Sequence, residues 1–173
     1  MISDFERLIL DQSYVVNVTK LRRVYNRRIL IYIGNKNGMI SFGIGKGEDY
    51  ETAIVNCLKK CKRNMVLIAL DQKHTCPRPI GSRFNDFRLM IMPSNGFNVW
   101  GNPLIFKMLI GAGIRHCSFY CKSRKRNRYA MVNSFVISCL KNQTMQEIAL
   151  EKGMKISEIN KGNPSKYQSG VYY

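Results

Sequence analysis

The chain has 173 residues, enough for one domain or two small ones with real cores. Its 45% apolar content marks a folding sequence, and no apolar run approaches the roughly eighteen residues of a membrane-spanning helix. Against 11 Asp and Glu stand 28 Lys and Arg, a net +17 that repels itself in a compact fold unless a polyanion supplies the counter-charge, nucleic acid first and an anionic membrane surface second.

In chain order, residues 1–13 read as a short helix with mixed faces. The Val-rich segment Tyr14 to Tyr25 extends as a strand, and a first basic cluster, Lys20, Arg22, Arg23, Arg27 and Arg28, runs through and past it. Ile29 to Ile33 is continuously apolar, a buried strand. Asn35-Lys36-Asn37-Gly38 is a turn in which Gly38 is free to take positive φ, and Met39 to Ile44 is the returning strand. A helix follows from about Tyr50 to Met65. Glu48, Asp49 and Glu51 lie at its start, where the helix dipole favours acids, and Lys59, Lys60, Lys62 and Arg63 form a second basic cluster near its end.

Met65 to Leu70 either finishes that helix or begins a strand. Cys76 to Gly81 carries two prolines and reads as an edge or linker, the candidate domain boundary. Phe87 to Met92 is a strand closed by Pro93 and Ser94-Asn95-Gly96, and LMIMP within it is a core strand. Leu104 to Gly111 is helical, with Pro103 at its first position and Gly111 and Gly113 at its end. Ile114 to Cys121 is a strand. Lys122, Arg124, Lys125, Arg126 and Arg128 form a loop and the third basic cluster. Helices follow over Tyr129 to Lys141 and Met145 to Lys152, and the polar last fourteen residues are not expected to order alone. The resulting class is α+β, a β-β-β-α unit over 14–75 and a β-α-β-α unit over 76–144, with terminal segments 1–13 and 145–173.

Three basic clusters with few acids, and no acid at all between Phe87 and Gln146, favour polyanion binding over an ordinary solvated face. Five glycines between 34 and 47, with Lys46 among them, raise the question of a nucleotide loop. A P-loop needs Gly, four residues, then Gly-Lys-Ser/Thr, but Ile40 stands at the first glycine and Gly47 at the hydroxyl. The dinucleotide pattern fails at Glu48. The glycines therefore belong to a hairpin and its exit into a helix, and Lys46 is either a phosphate contact or a solvated lysine.

Six cysteines include two i, i+4 pairs, Cys57/Cys61 and Cys117/Cys121, without a Cys-x-x-Cys knuckle. Ala53, Ile54, Cys57, Leu58 and Cys61 make one apolar helix stripe, so reduced thiols used as small core residues are the first reading. A metal or iron–sulfur site shared with another chain is the second. No secretory signal is visible, which fits a reducing compartment. The two histidines have no evident partner, carboxylates do not pair, and Gly-x-Ser-x-Gly and His-Glu-x-x-His are absent. No catalysis, cofactor, resident metal or small-molecule substrate is expected.

GNKNGMISFGIGKG followed by AIVNCLKKCKRNM resembles the signature of the bacterial-type small-subunit ribosomal protein five (S-five) family. That signature is a hairpin Gly-Asp-x-x-Gly-x-Val-Gly-x-Gly-x-Gly-Lys, then a helix Ala-Ile-x-Lys-Ala-x-x-x-Ala-Lys/Arg-Lys/Arg-Asn. Gly34, Gly38, Gly43, Gly45, Lys46, Ala53, Ile54, Arg63 and Asn64 match, and the helix cysteines replace alanines. Pro93, Gly96, GAGI at 111–114 and MQEIALEKGMKISEI extend the likeness over about 14–159.

The resemblance implies a double-stranded-RNA-binding-like first unit with a three-stranded sheet, then the family's β-α-β-α half. It implies no enzyme but a structural constituent of the small subunit. Such a protein binds rRNA near the neck and the mRNA entry side, touches small-subunit proteins four and eight, and has no membrane partner. The family's Lys-Gly-Gly-Arg loop, which enters RNA, corresponds to Lys20 through Arg23, with Leu21 and Arg22 replacing the glycines. The expected RNA contacts are Lys20, Arg22, Arg23, Arg27, Arg28, Lys46, Lys122, Arg124, Lys125, Arg126 and Arg128.

Tyr25 and Tyr129 flank the basic runs and either stack on bases or pack under the loops. The family's glycine-rich contact region reads Gly96-Phe97-Asn98-Val99-Trp100-Gly101-Asn102-Pro103 here. Gly96, Phe97 and Trp100 are the protein-interface candidates, with Trp100 read as either packing or docking. The altered turn KSRKRNRY, with Ser123 at the family serine, fits an organellar ribosome. A mitochondrial location is favoured over plastid or bacterial cytoplasm. No transit peptide is visible, so organelle encoding and prior processing both stand. The alternative function is a stand-alone double-stranded-RNA-binding assembly or regulatory factor.

Overall fold

The computed structural model describes residues 5–70, 74–94, 101–123 and 127–161. Strands β1 (Glu6–Val18), β2 (Arg23–Gly34) and β3 (Met39–Gly47), helix α1 (Tyr50–Arg63) and the short strand β4 (Met65–Leu67) build the first half. Its antiparallel sheet has the order β1-β2-β3-β4. The second half runs β5 (Ile80–Phe84), β6 (Phe87–Pro93), α2 (Pro103–Ala112), β7 (Cys117–Lys122) and α3 (Arg128–Leu140), with the antiparallel order β5-β6-β7. Helices α4 (Met145–Lys152) and α5 (Ile156–Lys161) follow.

The α+β class with two sheet-and-helix units holds. Several local expectations change or resolve. The helix expected over 1–13 is strand from Glu6 onward: Leu8 and Leu10 face the core, and a bulge between Ile9 and Asp11 moves the less exposed face to Asp11, Ser13 and Val15. The strand read from Tyr14 to Tyr25 is two strands around a turn at Thr19–Arg22, closed by the Thr19 hydroxyl donating to the Arg22 carbonyl at 2.7 Å. Of the edge or linker read over Cys76 to Gly81, the edge holds from Ile80, where β5 begins as an edge strand of the second sheet. The open choice at Met65 resolves to β4, which makes the first sheet four-stranded where three strands were expected. LMIMP is only half core: Leu89 and Ile91 are buried, while Met90 is 45% exposed.

The glycines of β3 seat α1 directly on the sheet. A Cβ on Gly45 would lie 2.0 Å from the Ala53 carbonyl oxygen, and one on Gly43 2.8 Å from that of Cys57. Gly38 takes φ +85°, as its turn requires. At the helix start, the Thr52 hydroxyl donates to the Asp49 carbonyl at 2.9 Å and accepts the Asp49 N–H at 3.2 Å.

Alternation along β2 divides the core. Ile29, Ile31 and Ile33 pack with Ala53, Cys57 and Cys61 under α1. Leu30 and Tyr32 face the other way, into a core shared with Leu89, Ile105, Met108 and Phe135 of the second half. The buried Tyr32 hydroxyl donates to the Met108 carbonyl at 2.8 Å, and its ring meets Phe135 edge-on at 5.9 Å between centroids.

The β2–β3 turn also closes the C-terminal end of α2. Lys36 and Gly38 N–H groups donate to the carbonyls of Gly111 and Ala112 at 2.9 and 3.0 Å, satisfying carbonyls the helix leaves free. Gly34 permits this approach, since a Cβ there would lie 2.2 Å from the Gly111 oxygen. The glycine-rich stretches at 34–38 and 111–113 thus meet in space. Asn102 and Asn127 cap α2 and α3, and Thr144 with Glu147 forms a reciprocal capping box on α4.

Candidate nucleic-acid interface

Among the described residues, the first sheet has one part that no other strand flanks. β3 pairs with β2 only as far as Arg27, so residues 15–26 form a free two-stranded ribbon. Four residues at ~3.3 Å each carry it roughly 13 Å beyond the sheet, before its turn. Lys20, Arg22 and Arg23 lie at the tip, all exposed, and Leu21 between them is 96% exposed. Val16, Val18 and Tyr25 are exposed on its sides. Apolar groups and cations without an acidic partner among the described residues, set on a thin projection, suit insertion into a polyanion, where phosphates neutralise the charge.

The other expected cations have different settings. Arg27 lies over the exposed Tyr14 ring, 5.1 Å from its centroid. Arg28 stacks on Tyr129 at 4.4 Å, and its Nε is buried without a hydrogen-bond partner among the described residues. Arg128 reaches back to β1, donating to the Leu10 carbonyl at 2.6 Å and pairing with Asp11 at 2.9 Å. Arg28 and Arg128 therefore fasten the ribbon's root to the start of α3, and Tyr129 packs under this joint rather than standing free. Lys46 is exposed on β3 directly opposite Arg28. Lys59, Lys60, Lys62 and Arg63 are exposed on α1, and Lys122 is exposed at the end of β7. Arg124, Lys125 and Arg126, and the interface candidates Gly96, Phe97 and Trp100, lie outside the described residues.

The cysteines behave as core residues. Five are buried, and the Cys57 thiol donates to the Gly43 carbonyl at 3.0 Å. Burial pushes Cys76 up to about 11 and Cys117 up to about 12, so both stay protonated at neutral pH. His74 accepts the Arg115 N–H on its carbonyl, a backbone role.

Sequence reasoning passed over Arg83, Arg88 and Tyr120. All three are exposed on the face of β5, β6 and β7 turned away from the core. The signal was alternation. In FRLMI every second residue is buried, and in CSFYCK Phe119 is buried while Tyr120 is 59% exposed, the pattern of a sheet with one uncovered face.

The first half of the chain, residues 5–69, matches the family model of ribosomal protein S5, N-terminal domain, and residues 82–152 match that of ribosomal protein S5, C-terminal domain. The chain is 26% identical over 155 residues to small ribosomal subunit protein uS5 of Karelsulcia muelleri, covering 89% of this chain and 90% of that one. It is 30% identical over 154 residues to uS5m of Schizosaccharomyces pombe, covering 88% of this chain and 39% of that one. Against uS5m of Caenorhabditis elegans the identity is 24% over 161 residues, 91% of this chain and 37% of that one. The chain thus spans under half the length of both uS5m relatives and nearly all of the bacterial one. With both domains matched in order, the chain belongs to the ribosomal protein S5 family, a structural and non-enzymatic component of the small ribosomal subunit.

Proposed function

We propose that this chain binds small-subunit rRNA as a fixed part of a mitochondrial small ribosomal subunit, near the neck and the mRNA entry side and against small-subunit proteins four and eight. The observation that carries the reading is the free ribbon, whose Lys20, Arg22 and Arg23 have no acidic partner among the described residues. Lys46, Lys122, Arg124, Lys125 and Arg126 extend the RNA contact. Arg27, Arg28 and Arg128 contribute where the ribbon joins the body, and Gly96, Phe97 and Trp100 face a protein neighbour. The A-form major groove admits few side chains, so contact runs through backbone, 2′-hydroxyls and unpaired bases. The mitochondrial location rests on the likeness to the uS5m relatives and on the extra cations in 122–128.

Sedimentation of lysates from cells or organelles tests this. The chain is expected to migrate with the small subunit and to leave that position after ribonuclease treatment. A free pool that binds any duplex RNA equally well would instead favour a stand-alone assembly or regulatory factor. In purified form, replacing Lys20, Arg22 and Arg23 by Ala is expected to weaken duplex binding. It should reduce the salt dependence of binding by about 0.9 per lost phosphate contact in a log–log plot.

A further inference from the structure

The uncovered face of the second sheet has its own chemistry. Register places Gly81, Met90 and Tyr120 side by side in one row across the three strands, and Arg83, Arg88 and Lys122 in the next. The rows are two residues apart, roughly 6.7 Å along the strands. These side chains border an open trough of about 710 Å3, and Lys141 reaches over its edge, its Nζ 3.3 Å from the Gly81 carbonyl. Gly81 has no packing reason to lack a side chain, since a Cβ there would meet nothing within 4 Å. It leaves the floor beside Met90 flat.

Charge selects the occupant. The ion pairs among the described residues are Lys36–Glu6 and Arg128–Asp11, so none of the four cations here has a carboxylate partner. Asp86, in the β5–β6 turn, is the acid nearest in sequence. An exposed aromatic ring beside an unneutralised cation row suits a ligand that offers flat rings and phosphates together. A duplex hides its bases from such a ring, whereas an unpaired strand presents them. We propose that the outer face of β5–β6–β7 binds an unpaired RNA segment, with a base stacked on Tyr120 beside Met90 and the backbone along Arg83, Arg88 and Lys122. This rests on the reading of the chain as an rRNA-binding protein and adds a second contact, distinct from the ribbon.

The test is fluorescence anisotropy of the full chain with a single-stranded oligouridine and with a duplex RNA of equal length. The ribbon variant (Lys20→Ala, Arg22→Ala, Arg23→Ala) serves as background to remove the ribbon's own binding. Tyr120→Ala is expected to weaken single-strand binding roughly 5- to 100-fold, with Tyr120→Phe close to the parent and duplex binding within about twofold. Arg88→Ala with Lys122→Ala is expected to lower the single-strand salt slope by about 1.4. Unchanged single-strand binding in Tyr120→Ala would overturn the proposal. So would crosslinks in intact subunits that join Tyr120 to a protein and not to RNA. If the chain still sediments with the small subunit in either case, this inference alone falls; a chain that never joins the subunit removes the broader reading.

Discussion

The two sheets differ in how many faces they bury. In the first, Ile29 to Ile33 are buried without a break: odd positions lie under α1 and even ones against the second half. In the second, burial alternates, because α3 covers one face and nothing among the described residues covers the other. A fully covered sheet is a joint. A half-covered one is a surface, and here that surface carries cations and an aromatic ring.

Substitutions sharpen the contrast. The largest effect is expected at Gly45→Ala, whose methyl group would lie 2.0 Å from a carbonyl of the helix above it. Urea denaturation should show a loss of about 3 kcal/mol or more, since the whole of α1 must lift. Next comes pH. Burial raises Cys76 to about 11 and Cys117 to about 12 from 9.0. The folded state thus holds protons that the unfolded state gives up, and its advantage is complete below about pH 9. Stability should fall by about 1 kcal/mol per thiol between about pH 8 and about pH 10 and continue downward to about pH 12. Replacing both cysteines by Ala should remove that share of the slope. Tyr32→Phe deletes the hydrogen bond to Met108 between the halves and should cost about 1 kcal/mol in the same denaturation assay. Gly81→Ala, on the open face, should change stability by no more than about 1 kcal/mol, and in the favourable direction if any. A large loss there would mean that this face is covered.

Much of this arrangement was legible in the residues. The turn at 35–38, the glycine spacing of β3 and the amphipathic stripe of α1 specify the first half locally, and α4 carries its own capping box. What escaped had physical causes. The bulge at Ile9/Asp11 replaces strand alternation with a spacing that mimics a helix. β5 hides behind two prolines and alternates exposed Gly81 and Arg83 with buried Ser82, whose burial rests on hydrogen bonds to Ser134 and Ser138 far along the chain. The pairing of Arg28 with Tyr129 and of Arg128 with Asp11 is tertiary, so a basic run alone did not separate fastening cations from free ones. Tyr120 was readable in principle, but only once its strand was taken as one-sided.

Photocrosslinking of the native small subunit, followed by residue-level mapping of RNA adducts on this chain, tests the central claim most directly. Adducts are predicted on the ribbon tip at 20–23 and on the open sheet face at Arg88, Tyr120 and Lys122, with none on the covered strand 29–33. A subunit-bound chain whose adducts avoid both the ribbon and the open face would contradict the account.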